Sequence, residues 1–444
     1  MSILLLALSI ALIILMTSKF KIHPFLALLA AALFFGLFSG MPLDLILVSI
    51  EEGFGVTLGK IGLIILLGVI IGAFLENSGG AYKMANMVVK VIGKKRVHEA
   101  MAIIGYFVSI PVFSDSGFII LTPLNKSLTK KAKLSLAGTG IALILGLLIT
   151  HVLIPPTPGP IAAAGILDAD IGLVMLFGFI VSIPALIAAI IYSKKIAAKT
   201  YIEPNPEITP EEIEQKIKDA PSTFKSFLPI VVPILLIVAK SLIEFNVGNE
   251  VNNLEWYNVI SFIGNPTIAL IIGAVLSFLL PKKFDTKLLS ASGWVGKALM
   301  DASIIVLITG AGGIFGKILQ NSEMVSIMAD SLAGLSLGIW LPFLLSAAIK
   351  TAQGSSTVAL ITAASIIVPL LPTLGFTTEI DKALLVLAVG AGAMVVPHAN
   401  DSGFWVVTQL TGMDVKTGYK LYTFGALIVG IVAICSIFIL SQFI

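Results

Sequence analysis

Four short polar stretches interrupt an otherwise apolar chain, and they hold the side chains best placed to do chemistry. The first contains Ser109, Pro111, Ser114, Asp115, Ser116 and Gly117. The second runs from His151 through Pro155, Pro156, Thr157, Pro158, Gly159 and Pro160. The third is Lys350, Thr351, Gln353, Gly354, Ser355, Ser356 and Thr357; the fourth is Pro397, His398, Asn400, Asp401, Ser402 and Gly403. Hydroxyls and amides beside one ammonium group can hold a small hydroxy carboxylate. Ser114, Asp115, Ser116, Thr157, Gln353, Ser355, Ser356, Asn400, Asp401 and Ser402 are therefore candidate substrate-binding residues, with Lys350 as candidate counter-charge. Asp115, Asp401, His151 and His398 are candidate proton carriers, the histidines because imidazole titrates near neutral pH. The residues alone leave the choice among the four open. Plainer readings stand beside these: Asp115 and Asp401 suit helix starts as caps, Lys350 can snorkel to an interface, and either histidine can be a structural hydrogen-bonding group. Charge inside a membrane is costly, which tilts the carboxylates toward function.

Composition makes lipid the solvent for the elements that carry these stretches. Hydrophobic residues are 57% of the 444, charged residues 12%, and mean hydropathy is +1.05; a soluble domain carries about 25% charge. A net charge of +3, with its basic residues in short loops, argues against a nucleic-acid partner. The lone Cys435 excludes a disulfide framework and a thiolate metal site. There is no P-loop, no H-E-x-x-H and no Cys/His cluster, so no cofactor is expected and ATP-driven transport is excluded. Gly334, Ser336 and Gly338 fit a G-x-S-x-G string without the strand–turn–helix context that gives it meaning. Residues 2–17 have no basic stretch before them and no small-residue cleavage pattern after, and read as a retained span.

A helix needs about 20 residues to cross the hydrocarbon, and lysine-rich loops belong in the cytoplasm. Lys19 and Lys21 place the first loop inside and both termini outside. The run 98–124 is flanked on both sides by lysines (Lys90, Lys94, Lys95, then Lys126, Lys130, Lys131, Lys133), so it predicts a re-entrant hairpin turning near residues 111–117. Run 337–372 has poorly basic flanks and predicts a second hairpin, entering from outside. Run 257–280 predicts a single span. Glu76 reads as a helix-end residue.

The pattern Gly68, Gly72, Leu75, Asn77, Ser78 recurs as Gly312, Gly316, Leu319, Asn321, Ser322, an offset of 244, and Met84-Ala85 falls on Met328-Ala329. The glycine pairs read as small-xxx-small helix contacts. Two matching halves with broken polar spots in mid-membrane outline a secondary transporter. The expected architecture is an all-α polytopic membrane protein built as an inverted-topology repeat. It has about ten spanning helices, two of them broken, and two re-entrant hairpins. Residues 1–198 form the first repeat, 199–222 a cytoplasmic linker and 223–444 the second. A short linker helix is expected from Thr209 and Pro210.

Several strings carry a family resemblance. They are Gly53-Phe54-Gly55 with Thr57 and Gly59, Pro111 to Phe118, His151 to Pro160, Ala352-Gln353-Gly354-Ser355 with Thr357, and Pro397-His398 with Asn400 to Trp405. Together they resemble the gluconate:proton symporter family of bacterial permeases along nearly the whole chain. The resemblance implies proton-coupled import of gluconate or a related hydroxy acid across the inner membrane. It also implies kinship to a wider ion-transporter superfamily, usually dimeric and moving by an elevator, so a homodimer in the lipid bilayer is the expected assembly. D-serine and glycerate are carried by other members. The rival readings are a sodium-coupled carrier of amino acids or dicarboxylates, a channel, and an intramembrane hydrolase using Asp115 and Asp401.

Overall fold

The computed structural model describes residues 2–93, 96–206, 209–247, 255–322, 337–372, 374–399 and 401–444, and among these it is helical, with no strand. The first half holds α1 (Ser2–Ile14), α2 (Pro24–Phe38), α3 (Leu43–Asn77), α4 (Gly80–Ile92), α5 (Val97–Val108), α6 (Ser114–Lys131), α7 (Leu136–Leu153), α8 (Pro158–Leu167) and α9 (Ile171–Lys195). The linker helix α10 (Pro210–Asp219) follows. The second half holds α11 (Thr223–Val247), α12 (Glu255–Ile263), α13 (Pro266–Ser277), α14 (Trp294–Asn321), α15 (Trp340–Gln353), α16 (Ser356–Ile367), α17 (Glu379–Ala393), α18 (Ser402–Thr411) and α19 (Val415–Leu440).

Among the described residues, six helices are long and apolar enough to cross a membrane, including Leu43–Asn77, Leu136–Leu167 and Val415–Leu440. The expected single span over 257–280 is instead bent by 65° between α12 and α13. The local cause is legible. Asn265 caps Thr267 N at 3.0 Å and Pro266 takes the first helical position, so a new helix starts there in a new direction. The linker helix forms as expected, with Thr209 and Glu212 closing a reciprocal capping box. It is anchored to both halves of the chain. Lys83 donates to Ile217 O at 3.2 Å, and Lys282 pairs with Asp219, holding that carboxyl below the usual carboxylate range.

The polar stretches start helices by ordinary local chemistry. Pro158 opens α8, the Ser355 hydroxyl accepts from Val358 N to cap α16, and Asp401 caps α18. Gly354 ends α15 at φ +94°, a conformation that favours glycine. At the turn between α5 and α6, the Ser109 hydroxyl donates to Val112 O at 2.9 Å. The break between α7 and α8 is wrapped in protein, while Ser355, Ala399 and Ser402 at the later breaks are exposed. An 18-residue stretch of Leu136–Leu167 is 100% buried, against 33% in Thr223–Glu244, and α17 is buried continuously from Ala383 to Ala393.

One glycine pair packs as expected and the other does not. Gly312 faces Ile361 and Ser365 on α16, and Gly316 faces Ser365 and Val368, which are helix contacts as expected. Gly68 and Gly72 instead face the carbonyls of Pro156 and Pro111, so α3 is the surface on which two of the breaks rest. A Cβ at Gly72 would lie 2.2 Å from Pro111 O, whereas one at Gly55 on the same helix meets nothing within 4 Å. Gly72→Ala should therefore destabilise by about 1–3 kcal/mol, while Gly55→Ala should be neutral or stabilise by up to about 1 kcal/mol. Thermal melts in detergent check the pair; equal effects would contradict the packing.

Candidate functional site

The starts of α6, α16 and α18 and the ends of α7 and α15 meet around one cavity of about 290 Å³. Each of the four polar stretches reaches it. Ser114, Asp115 and Ser116 come from α6, and His151 from α7. Lys350, Ser355 and Ser356 come from the α15–α16 turn, and Asp401 and Ser402 from the start of α18. Small-molecule sites occupy about 300–1,000 Å³, so this one sits at the small end. Three helix N-termini open onto it, and their partial positive charge suits an anion.

An ion pair organises the cavity. Lys350, in the last turn of α15, donates to Asp401 Oδ2 and to Gly354 O. Its side chain is only 2% exposed and that of Asp401 11%, so the snorkelling reading of Lys350 fails. Asp401 has two roles, because its Oδ1 also accepts from Gly403 N at 2.7 Å and caps α18. Asp115 is not a cap. Phe113 holds the N-cap position of α6, and Asp115 sits in the first turn with its carboxylate turned across the cavity. It accepts from the Ser402 hydroxyl at 2.9 Å and, more weakly, from the Ser114 hydroxyl at 3.4 Å. Buried His151 faces the ring of Phe113, centroids 6.0 Å apart, and its Nδ1 has no hydrogen-bond partner.

Three predicted residues stand outside the lining. The Thr157 hydroxyl is fully buried and donates to Ile154 O at 2.8 Å, which closes the break structurally. The Gln353 amide donates to Ser355 O at 2.6 Å and braces the turn. His398 Nε2 lies 2.6 Å from Thr351 O and ties the fourth stretch to the third. Asn400 lies outside the described residues. Thr357, Phe113, Leu148 and Tyr422 complete the wall without having been singled out as site residues. Thr357 lies within the third stretch and was legible as polar. Tyr422 was not: near Lys420 it reads as an interfacial aromatic, but a π-helical turn over Tyr419–Thr423 carries it inward to 2% exposure. Among the described residues there is no group of three side chains able to ligate a metal.

Comparison with known proteins decides the family. The profile of the GntP family permeases matches residues 1–444. The chain belongs to the GntP permease family. It is 36% identical over 439 residues to a gluconate permease of Pseudomonas aeruginosa, covering 97% of this chain and 95% of that one. It is 33% identical over 447 residues to the D-serine transporter DsdX of Escherichia coli, covering 98% and 97%. The solved structure of Neisseria gonorrhoeae MtrF matches the fold with a TM-score of 0.62 at 16% identity, covering 88% of this chain and 83% of that one. This permease is thus a multi-pass membrane transporter and not an enzyme.

Removing one member of a buried pair strands the other. In this permease Lys350→Met leaves the Asp401 carboxylate without its cation, at an expected cost of about 3–5 kcal/mol. Asn can still cap α18, so Lys350→Met/Asp401→Asn should recover most of that loss. Melting midpoints of wild type, both single variants and the double variant read the coupling; losses that simply add would break the pair.

Proposed function

We propose that this permease is a secondary active transporter that imports gluconate or a related small hydroxy acid across the bacterial inner membrane by proton symport. The single observation that carries the reading is the buried Lys350–Asp401 pair in a hydroxyl-lined cavity. Lys350 can fully neutralise one carboxylate at a time. An incoming substrate carboxylate competes with Asp401 for the ammonium, and a proton placed on Asp401 releases Lys350 to the substrate. When the substrate leaves inward, Lys350 re-pairs with Asp401 and the proton departs on the same side. One carboxylate and one proton cross together, so the cycle carries no net charge. Ser114, Ser116, Ser355, Ser356 and Ser402 serve the substrate hydroxyls, and the free Nδ1 of His151 offers a further polar contact.

The topology that goes with this reading is the inverted repeat 1–198 and 223–444 joined by the linker 199–222. The hairpins are 98–124 and 337–372, both termini are outside and about ten spans are present. The offset of 244 residues supports it: it carries 158–167 onto 402–411, the bounds of α8 and α18, and the start of α9 onto the start of α19. Burial of the first broken span and of α17 suits a rigid body moving by an elevator against α3 and α14, in a homodimer. A second reading has a specific observation behind it. Asp115 is met only by hydroxyls among the described residues, so it can receive a substrate ammonium, and the permease would then carry D-serine, as its E. coli relative's name describes.

Proteoliposomes decide between these. Labelled gluconate should accumulate under an inward proton gradient, not a sodium gradient, and an imposed membrane potential should not accelerate it. Asp401→Asn, which mimics the protonated state, should keep gluconate exchange but lose uphill accumulation by about tenfold or more. Sodium-driven uptake, or uphill uptake by Asp401→Asn at the wild-type rate, would overturn the coupling. D-serine accumulation without gluconate uptake would replace the substrate.

A further inference from the structure

A second cavity, of about 520 Å³, lies on the lysine-rich side between α4, α6 and the linker helix α10. Four lysines line it: Lys83 and Lys90 from α4, Lys131 from α6 and Lys218 from α10. The lining contains one acid, Glu214, and Lys218 already holds it at 3.0 Å. Positive charge is therefore left in excess. The rest of the wall is largely apolar, with Leu124 and Leu128 of α6 facing Ile213 and Ile217 of α10. Beside Lys90, Val91 on the same helix is 75% exposed and Met87 40%, so the charged rim adjoins an apolar outer surface. A soluble anion needs only the lysines. A ligand that uses both the cationic rim and the apolar wall is amphiphilic.

We propose that this cavity binds an anionic phospholipid, its phosphate on Lys90 and Lys131 and an acyl chain along the α6–α10 wall. Basic pockets at the cytoplasmic edge of membrane helices suit such headgroups. The position gives the lipid leverage on the transport site. α6 begins at Ser114 and Asp115 in the substrate cavity and ends at Lys130 and Lys131 beside this one. α10 is tied to α4 through Lys83 and to the second half through Asp219 and Lys282. A phosphate bridging Lys90 and Lys131 pins the far end of the site-bearing helix to α4 beneath the connecting helix.

The test reads binding, so it is independent of which solute is carried. The intact permease is reconstituted in phosphatidylcholine with and without phosphatidylglycerol, released in mild detergent, and its retained lipid counted by native mass spectrometry. Wild type should retain phosphatidylglycerol over phosphatidylcholine. Lys90→Gln/Lys131→Gln should reduce that retention roughly thirtyfold, from two lost lysine contacts. Lys416→Gln/Lys420→Gln removes equal charge elsewhere and should retain lipid as wild type does. All three proteins should melt alike in lipid-free detergent, and added phosphatidylglycerol should raise the midpoint of wild type but not of Lys90→Gln/Lys131→Gln. Unchanged retention in Lys90→Gln/Lys131→Gln, or equal loss in both double variants, would overturn the site. Displacement of the lipid by inorganic phosphate alone would make it a soluble-phosphate site and overturn the lipid assignment.

Discussion

Backbone that leaves a helix inside a membrane has no water to satisfy its N–H and C=O groups, and lipid offers none. Among the described residues this permease breaks its backbone at its four polar stretches as well as at Asn265, and the rest of the structure follows from where those four breaks are put. They are gathered at one locus, so that freed helix ends meet hydroxyls, a carboxylate or neighbouring helices rather than hydrocarbon. Ser109 closes one break on Val112 O, Thr157 closes another on Ile154 O, and Asp401 closes a third on Gly403 N. Glycine lets the neighbours come close enough to seal the space. A Cβ at Gly390 would lie 2.3 Å from Val152 O, so α17 presses on the last turn of α7 immediately before the break. The same shielding that satisfies the backbone creates a polar pocket with low dielectric walls.

Within that pocket the Lys350–Asp401 pair is a poor investment in stability alone. Desolvating two charges costs several kcal/mol each, and apolar side chains of similar volume commonly do as well. What the pair provides instead is a site with a defined charge count. One ammonium, two carboxylates and a ring of hydroxyls line the cavity, and under the proposed function a substrate anion enters as another negative charge is relieved. A proton on a carboxylate relieves it most simply. In the proposed symport, coupling follows from charge balance within this cavity, without a separate proton-conducting path.

Much of this was legible in the sequence because the relevant signals are compositional. Apolar runs with a few polar interruptions announce both the membrane and the site, and nine of the predicted residues, Ser114, Asp115, Ser116, His151, Lys350, Ser355, Ser356, Asp401 and Ser402, do line one cavity. What could not be read was direction within a stretch. Thr157 and Gln353 are polar residues at breaks, yet their donors are consumed by the turns they help to build. His398 is spent joining two stretches. Tyr422 lies outside all four, and only the π-helical register of Tyr419–Thr423 turns it inward. The bend at 264–265 was visible as Asn265-Pro266, but helix-start chemistry inside an apolar run is easily outweighed by the length of the run.

We propose that the solute binds where the four breaks converge. Cys435 is the sole cysteine, so Cys435→Ser gives a clean background for a single thiol at the cavity wall, Ser356→Cys. Alkylation of that thiol by a small maleimide, followed against time, is the most direct measurement. Whichever solute proteoliposomes accumulate, gluconate or D-serine, should slow the reaction in proportion to site occupancy, while a thiol placed at Val56 in the separate Lys60–Asp168 cavity should be unaffected. Alkylation of Ser356→Cys at the same rate with and without a saturating transported solute would contradict it.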